Sequence, residues 1–103
     1  MATKQIKKRD GRMVVFEPKK IEAVILKAGQ ATGEFEKKEA KRLVGIVVAI
    51  LGKTNGKHVP QVEQIQDIVE RVLMAAGHYE TAKAFILYRE RHAKERQARQ
   101  VIG

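Results

Sequence analysis

The stretch KKRDGRMVVFEPKKI, residues 7–21, carries the strongest structural signals in the chain. Asp10-Gly11 favours a tight turn between two strands, because glycine tolerates the positive φ that such turns require. Residues 3–17 therefore predict a β-hairpin, closed either by a two-residue turn or by a three-residue loop with a bulge. Pro18 suits the first turn of a helix, where its missing N–H costs nothing. The stretch also holds six cations in fourteen residues, more than a solvated hairpin needs, and this predicts an anion site.

The positive charge of the chain is concentrated at its two ends. The 103 residues have a formal net charge of +9. Residues 1–20 carry seven cations against two anions, residues 83–103 carry six against two, and residues 21–82 are balanced at eight of each. If folding brings the two ends together, this pattern suits phosphate or polyanion binding. Solvated faces that maintain solubility are the simpler alternative for any single cluster.

Composition excludes several classes of protein. The absence of cysteine removes disulfides, thiolate zinc sites and cysteine nucleophiles. No apolar run approaches the roughly 20 residues that a membrane span needs, and the start of the chain has no hydrophobic signal segment. We therefore expect a soluble, cytoplasmic protein with one compact domain around a single core.

Apolar residues at helical spacing predict four helices. The first begins at Pro18, the second runs from about residue 36 to 51 with Gly52 as its stop, the third ends at Gly77, and the fourth begins near Tyr79 or Glu80. The positions expected to face the core are Ile21, Val24, Ile25, Ala28, Ala40, Leu43, Val44, Val47, Val48, Leu51, Val62, Ile65, Val69, Val72, Leu73, Ala76, Ala82, Phe85 and Ile86.

The predicted fold class is α+β, mainly α: a four-helix bundle capped by a β-hairpin. A two-stranded hairpin is only marginally stable alone, so it must lie on the helices. A short strand around residues 57–59 would extend it to a small three-stranded sheet. Beyond Tyr88 the sequence is helix-permissive but almost without apolar residues. We therefore divide the chain into a domain at residues 1–92 and a polar helical tail or linker at residues 93–103.

Signals of catalysis are weak, and we expect a protein that is not an enzyme. The three histidines, His58, His78 and His92, show no spacing that suggests a metal site, and each is expected at the surface. The sequence GKTNGKH at residues 52–58 lacks the spacing of a phosphate-binding P-loop and is interpreted as a turn. Glu63, Asp67 and Glu70 form one acidic stripe on the third helix. A solvated face is the favoured interpretation of this stripe; pairing with the basic hairpin, or help in holding Mg²⁺, is the alternative.

A basic constellation remains as the candidate site. Its members are Lys8, Arg9, Lys20, Lys83, Arg89 and Arg91. These side chains converge if the hairpin folds over one end of the bundle, and lysines, arginines and helix N-terminal amides are the usual protein partners of a triphosphate. Ile6, Val15 and Ile21 are candidate walls of a slot for a flat purine ring, and Glu17 could accept a hydrogen bond from the base or ribose.

Three blocks of sequence together resemble the ATP-cone domain family. They are IKKRDGRMVVFEPKKIEAVILKA at residues 6–28, VEQIQDIVERVLMAAG at residues 62–77 and YETAKAFILYRERH at residues 79–92. The resemblance implies a hairpin-capped four-helix bundle that binds ATP or dATP, with Mg²⁺, without hydrolysing it. It implies an overall-activity switch of a ribonucleotide reductase, working through a reductase subunit or through self-association, or else a free-standing nucleotide sensor.

The resemblance also implies roles for individual residues. Lys8 and Arg9 would hold phosphates, Lys20 would reach the phosphates or ribose, and Ile6, Glu17 and Ile21 would border the base. The segment from His58 through Val59 to Glu63 would border the nucleotide, and Arg89 or Arg91 would close the phosphate side.

Two other functions stay open at this point. The reductase's own catalytic machinery is absent from the sequence, so the chain cannot perform that reaction by itself. A small basic nucleic-acid-binding protein would explain the net charge, although the five aromatic residues suggest no stacking cluster. A protein-interaction module whose oligomeric state changes with ligand would complement nucleotide binding.

Overall fold

A computed structural model describes residues 5–55 and 58–102 as a hairpin followed by four helices. The elements are β1 (Gln5–Lys7), β2 (Met13–Val15), α1 (Pro18–Thr32), α2 (Lys37–Asn55), α3 (Val62–Ala75) and α4 (Tyr79–Ile102). The first and third helices each pack against both the second and the fourth, so the four form a closed bundle. The expected fold class, mainly α with a β-hairpin, is confirmed.

The hairpin is closed by the longer of the two expected turns. Its strands are antiparallel, with Ile6 opposite Val14. The Lys8 N–H donates to the Arg12 carbonyl at 2.8 Å, and the Gly11 N–H donates to the Lys8 carbonyl at 2.9 Å. Gly11 has a φ of 89°, which is the left-handed position of a three-residue loop with a bulge. The loop at residues 9–11 therefore projects Arg9 and Asp10 beyond the strands.

The predicted third strand is wrong, because the sheet in the described part of the chain has two strands only. Val59 has no strand structure, and residue 57 lies outside the described residues. Instead, Lys7 forms a single parallel bridge with Gln61, and its N–H donates to the Pro60 carbonyl at 2.9 Å. This bridge attaches the hairpin to the segment that leads into α3.

The core follows the predicted periodicity closely. The buried apolar residues are Phe16, Ile25, Phe35, Ala40, Leu43, Val44, Val47, Leu51, Ile65, Ile68, Val69, Val72, Leu73, Ala82 and Phe85. Ile68 was missed because α3 packs against two helices at once, which makes its buried stripe wider than a single-face pattern. Val15 is 69% exposed, so its predicted role as a wall of a purine slot is wrong.

One predicted helix end is also wrong. Helix α2 continues through Gly52 to Asn55, and the Thr54 hydroxyl donates to the Ile50 carbonyl at 2.9 Å in this last turn. A glycine inside a helix costs only about 1 kcal/mol, and the fully buried Leu51 beside it holds the turn against the core. Gly77, by contrast, lies outside α3, just after the C-cap residue Ala76, and has a φ of 83°, as expected for a helix stop.

The end of the bundle that lies away from the hairpin is fixed by buried polar contacts. Thr81, near the start of α4, is fully buried, and its hydroxyl contacts the Thr32 hydroxyl at 2.8 Å. The Glu34 carboxylate accepts hydrogen bonds from the Thr81 hydroxyl at 2.5 Å and the Thr81 N–H at 2.7 Å. These bonds hold the pKa of Glu34 below its ordinary value. The carboxylate thus caps the start of α4.

A second polar pair at the same end corrects the expectation that His78 lies at the surface. The His78 side chain is only 17% exposed, and its Nε2 lies 2.8 Å from the Glu39 carboxylate. Its ring also packs against Phe35, with centroids 4.7 Å apart. His78 therefore connects the start of α2 to the turn before α4.

Helix α4 continues without a break far beyond Tyr88. A helical tail was expected there, and the boundary between residues 92 and 93 stays a prediction. None of the helices in the described residues is long and apolar enough to cross a membrane.

Candidate functional site

The basic turn of the hairpin lies against the first turn of α3. The Arg9 guanidinium forms an ion pair with Glu63 and donates from Nη2 to Gln66 Oε1 at 3.4 Å. The backbone bridge between Lys7 and Gln61 sets this position, because it holds the end of β1 beside the residue that precedes α3. The turn therefore faces the bundle end and does not point away into water.

Arg89 reaches the same place from α4. Its side chain is 18% exposed. Its Nε donates to Gln66 Oε1 at 3.1 Å, and its Nη1 donates to Asp67 at 3.0 Å and Glu70 at 2.5 Å. Partial burial alone would lower the pKa of Arg89, but the hydrogen bonds to Glu70 and Asp67 outweigh it and raise the pKa above its ordinary value. Arg89 thus remains a fixed positive charge at the bundle end.

Gln66 connects the two arginines, and the sequence analysis missed it. Its side-chain oxygen accepts from both Arg9 and Arg89. Because guanidinium groups only donate, this shared contact fixes which end of the amide is oxygen and directs the NH₂ donors elsewhere. The sequence signal for Gln66 was a polar residue beside the acidic residues of α3. This signal does not indicate which other element packs against that residue.

The acidic stripe of α3 is partly solvated and also paired with cations. Glu63 pairs with Arg9 of the hairpin, while Asp67 and Glu70 pair with Arg89 of α4. The favoured interpretation, a solvated face, is therefore incomplete, and the alternative pairing with the basic hairpin is found for Glu63. The stripe neutralises cations from two other elements and ties both to α3.

A cleft of about 480 Å³ separates the hairpin turn from the far part of α4. It is lined by Lys8, Arg9, Asp10, Arg12, Val62, Ala93 and Gln97. Within the turn, Asp10 accepts from the Arg12 N–H at 3.0 Å and from Arg12 Nε at 2.7 Å. The hydrogen bond from the Arg12 N–H is the main cause of a lowered pKa of Asp10. Desolvation opposes this shift, and the hydrogen bond from the Arg12 side chain adds to it. Lys8 forms no ion pair with a carboxylate among the described residues, so it is the cation of this cleft best placed to meet a ligand anion.

An apolar slot of about 170 Å³ opens between α1, α3 and α4. It is lined by Lys20, Ile21, Val24, Ile25, Ile65, Gln66, Val69, Phe85 and Tyr88. Phe85 and Tyr88 are stacked with ring centroids 6.2 Å apart, and Tyr88 contacts the His92 ring at 4.3 Å. The expectation of no aromatic stacking was therefore wrong, although Phe85 itself is buried. Gln66 lines the slot and also accepts from Arg9, which lines the cleft, so this side chain lies between the two cavities.

The other predicted site residues divide into two groups. Ile21 and Lys20 line the slot, and Lys20 also pairs with Glu17 at 2.9 Å, while Ile6 packs against the core beneath the hairpin. His58, Val59 and Arg91 are exposed and line neither the cleft nor the slot. Between Arg89 and Arg91, it is Arg89 that bonds to α3, and it shares the acceptor Gln66 with Arg9 of the hairpin.

Two further expectations depend on position within the bundle. Lys83 lies two residues from Thr81, which contacts Thr32 at the end of α1. It is therefore at the opposite end from the hairpin, and its predicted convergence with the turn is wrong. In the part of the chain that the structure describes, no group of three histidine, aspartate or glutamate side chains is arranged to hold a metal ion.

Comparison with known proteins gives consistent matches over nearly the whole chain. A family model for the ATP cone domain matches residues 4–94. The chain is 39% identical, over 97% of its length, to a vitamin B12-dependent ribonucleoside-diphosphate reductase from Thermoplasma acidophilum. It is 41% identical over 89% of its length to a ribonucleoside-diphosphate reductase subunit alpha from Chlamydia muridarum. It is 30% identical over 94% of its length to an anaerobic ribonucleoside-triphosphate reductase from Escherichia coli. The matched region spans only 13%, 10% and 13% of these relatives.

Proposed function

This chain belongs to the ATP-cone domain family, and from that premise we propose that it binds ATP and dATP without hydrolysing them, as the overall-activity switch of a ribonucleotide reductase. The observation that carries the proposal is the meeting of the basic hairpin turn with Arg89 through the shared acceptor Gln66. The relatives, all reductases, support the choice of enzyme. A free-standing nucleotide sensor would use the same site.

The cleft and the slot suit different parts of a nucleotide. Lys8 and Arg9 would bind phosphate oxygens, lysine as a point charge and arginine as a two-pronged donor. Ile21 and the Tyr88 ring would contact the flat purine in the slot, whose lining is mainly aliphatic and aromatic. The Gln66 NH₂ group, oriented by two arginines, would donate to an acceptor on the ribose or base between the two cavities.

The remaining predicted residues take peripheral roles in this proposal. Glu17 and Lys20, paired at the mouth of the slot, would reach the ribose or base. His58 and Val59 border the segment that leads into α3, and Arg91 lies one turn of helix or less from Arg89, so these three would contact the nucleotide only at its edges. Mg²⁺ would arrive with the phosphates, because the carboxylates of α3 are engaged by arginines.

Calorimetric titration of the folded chain with ATP, dATP and GTP tests the proposal. We expect saturable binding of ATP and dATP, and weaker or no binding of GTP. Lys8→Ala should weaken ATP binding by about 3- to 10-fold, since a charge-assisted contact to phosphate is lost. Lys41→Ala, an exposed lysine of α2, removes the same charge away from the cleft and should leave ATP affinity unchanged. The absence of binding heat with both adenine nucleotides would refute the proposed function.

Binding of nucleic acid is the less favoured alternative. Arg9, Arg12 and Arg89 already pair with carboxylates, which leaves less unneutralised charge for a phosphate backbone than the composition suggests. Nucleic-acid affinity would fall steeply with salt and collapse on deletion of residues 93–103. Nucleotide affinity should survive that deletion in large part, because the cleft loses only Ala93 and Gln97 and keeps its cations Lys8, Arg9 and Arg12.

Regulation would proceed through association with a reductase subunit or with a second copy of this domain. Size-exclusion runs of the chain with ATP and with dATP test the second route. A change in elution volume with one nucleotide only supports self-association as part of the switch. Equal elution volumes with both nucleotides would indicate that the domain binds nucleotide without a nucleotide-specific change in self-association.

A further inference from the structure

The cation that the hairpin turn offers to a ligand already has an anionic partner. Arg9 holds the Glu63 carboxylate with Nη1, and the Gln66 oxygen with Nη2. The Arg9 and Glu63 side chains are 36% and 47% exposed, so this pair lies where a ligand can reach it. Both Nη donors of Arg9 are thus engaged by other side chains in this structure.

We propose that Glu63 stands in for a ligand phosphate on Arg9, and that nucleotide binding replaces the carboxylate by phosphate. The inference rests on the proposed function and makes Glu63 an affinity-setting residue of that site. Carboxylate and phosphate oxygens bind a guanidinium in the same forked geometry, so one Arg9 edge serves one of them at a time. A ligand without phosphate cannot replace Glu63 on Arg9, so its affinity does not depend on Glu63.

The exchange is restricted to Arg9, because the second arginine is bound much more firmly. Arg89 is 18% exposed and donates to two carboxylates and one amide. Removing the partners of a buried charge costs several kcal/mol, whereas an exposed ion pair contributes little. Arg89 therefore keeps its carboxylates and holds Gln66 in place while Glu63 leaves Arg9.

The backbone of the hairpin does not have to move for this exchange. Lys7 donates its N–H to the Pro60 carbonyl, and it pairs with Gln61 in a parallel bridge. These contacts fix β1 against the segment before α3 independently of the Arg9 side chain. Displacement of Glu63 is consequently a change of side-chain partner, and the turn stays above the bundle end.

The test is a titration of the full chain with ATP, sodium tripolyphosphate and adenosine. Glu63→Gln should tighten ATP and tripolyphosphate binding about two- to fivefold, the range expected from loss of an exposed competing ion pair. Adenosine affinity should not change. Glu36→Gln is the matched control, because it changes net charge equally at the opposite end of the bundle, where the Glu36 carboxylate accepts from Gln30 Nε2 at 3.2 Å. It should leave all three affinities unchanged.

A double-mutant cycle with Arg9→Gln identifies the partner. The gain from Glu63→Gln should vanish in the Arg9→Gln background, since no guanidinium remains to be released. Equal or weaker ATP binding by Glu63→Gln in the presence of Arg9 would overturn the inference, as would a gain that persists without Arg9. If wild-type protein fails to bind ATP, the proposed function itself has failed, and this outcome is distinct from the other two. Circular dichroism of each variant confirms that it is folded.

Discussion

Gly29 and Gly45 both lie inside helices of the bundle, and we expect substitution by alanine to have opposite effects on stability at these two positions. Gly29 is buried in α1, and a Cβ atom there would lie within 2.6 Å of three ring carbons of Phe35. Gly45 is exposed in α2, and a Cβ atom there would have no neighbour within 4 Å. Alanine at either position gains the same helix propensity, so the difference between the two variants reports the packing.

The magnitudes follow from these distances. Alanine in place of glycine inside a helix contributes about 1 kcal/mol of stability. At Gly29 the Phe35 ring must also move by about 1 Å, and this ring is 7% exposed and packed against His78. Overpacking of a core typically costs about 1–3 kcal/mol, and three ring carbons that must all give way place this site in the upper half of that range, about 2–3 kcal/mol. We therefore expect Gly29→Ala to destabilise by about 1–2 kcal/mol, and Gly45→Ala to stabilise by about 0.5–1 kcal/mol.

Urea unfolding followed by far-ultraviolet circular dichroism measures both changes. For a domain of this size, 1 kcal/mol corresponds to a shift in Tm of about 4–8 °C, so thermal unfolding should separate the two variants clearly. The double variant Gly29→Ala, Phe35→Leu should lose less than the sum of its single changes, because leucine vacates the ring position. A Gly29→Ala variant as stable as the wild type would refute the packing argument, and so would a destabilised Gly45→Ala.

Two further predictions concern the end of the bundle opposite the hairpin. Thr81→Val should lower the free energy of unfolding by about 1–3 kcal/mol. The fully buried Thr81 hydroxyl hydrogen-bonds to both Thr32 and Glu34, and its loss leaves the Glu34 carboxylate without one of its donors. A chemical denaturation curve unchanged from the wild type would contradict this prediction. Hydrogen bonds from Arg42 and then His78 lower the pKa of Glu39 from its ordinary 4.5 to about 2. A carboxylate with a lowered pKa stabilises the fold above its unfolded pKa, and this contribution is lost as pH falls through the folded value. Glu39→Gln should therefore destabilise by roughly 1–2 kcal/mol at neutral pH, and the difference from the wild type should shrink between pH 4.5 and about pH 2; a pH-independent difference in unfolding free energy would argue against the titration.

The sequence was sufficient for the architecture because local signals agreed with the final packing. The Asp10-Gly11 turn, the proline at the start of α1 and the helical apolar stripes each determine structure within a few residues of themselves. The errors in the predicted fold lie at positions whose structure is determined by tertiary contacts. Gly52 stays helical because its neighbour Leu51 is buried, and Ile68 is buried because two helices, not one, cover that side of α3.

The candidate site was less predictable, since its contacts connect positions far apart in the chain. Lys8 and Arg9 could be identified from charge density at a turn, and Arg89 from its position next to an apolar stripe. No local pattern indicates that Arg9 and Arg89 both contact Gln66, because these arginines lie 57 and 23 positions from it in the sequence. The same limit explains why the acidic stripe was assigned to solvent, because its partners lie on the hairpin and on α4.

The unbroken course of α4 has a mechanical consequence. The helix is anchored at one end by Thr81, passes Arg89 at the bundle end and continues to Ile102 as a single rod. At 1.5 Å per residue, about 30 Å separate Thr81 from Ile102. A rod of this length acts as a lever, so a tilt of about 5° around the anchored end carries the opposite end roughly 3 Å sideways. A sideways shift of the helix at Arg89, eight residues from the anchor, is therefore magnified roughly 2.6-fold at residue 102, which is 21 residues from it.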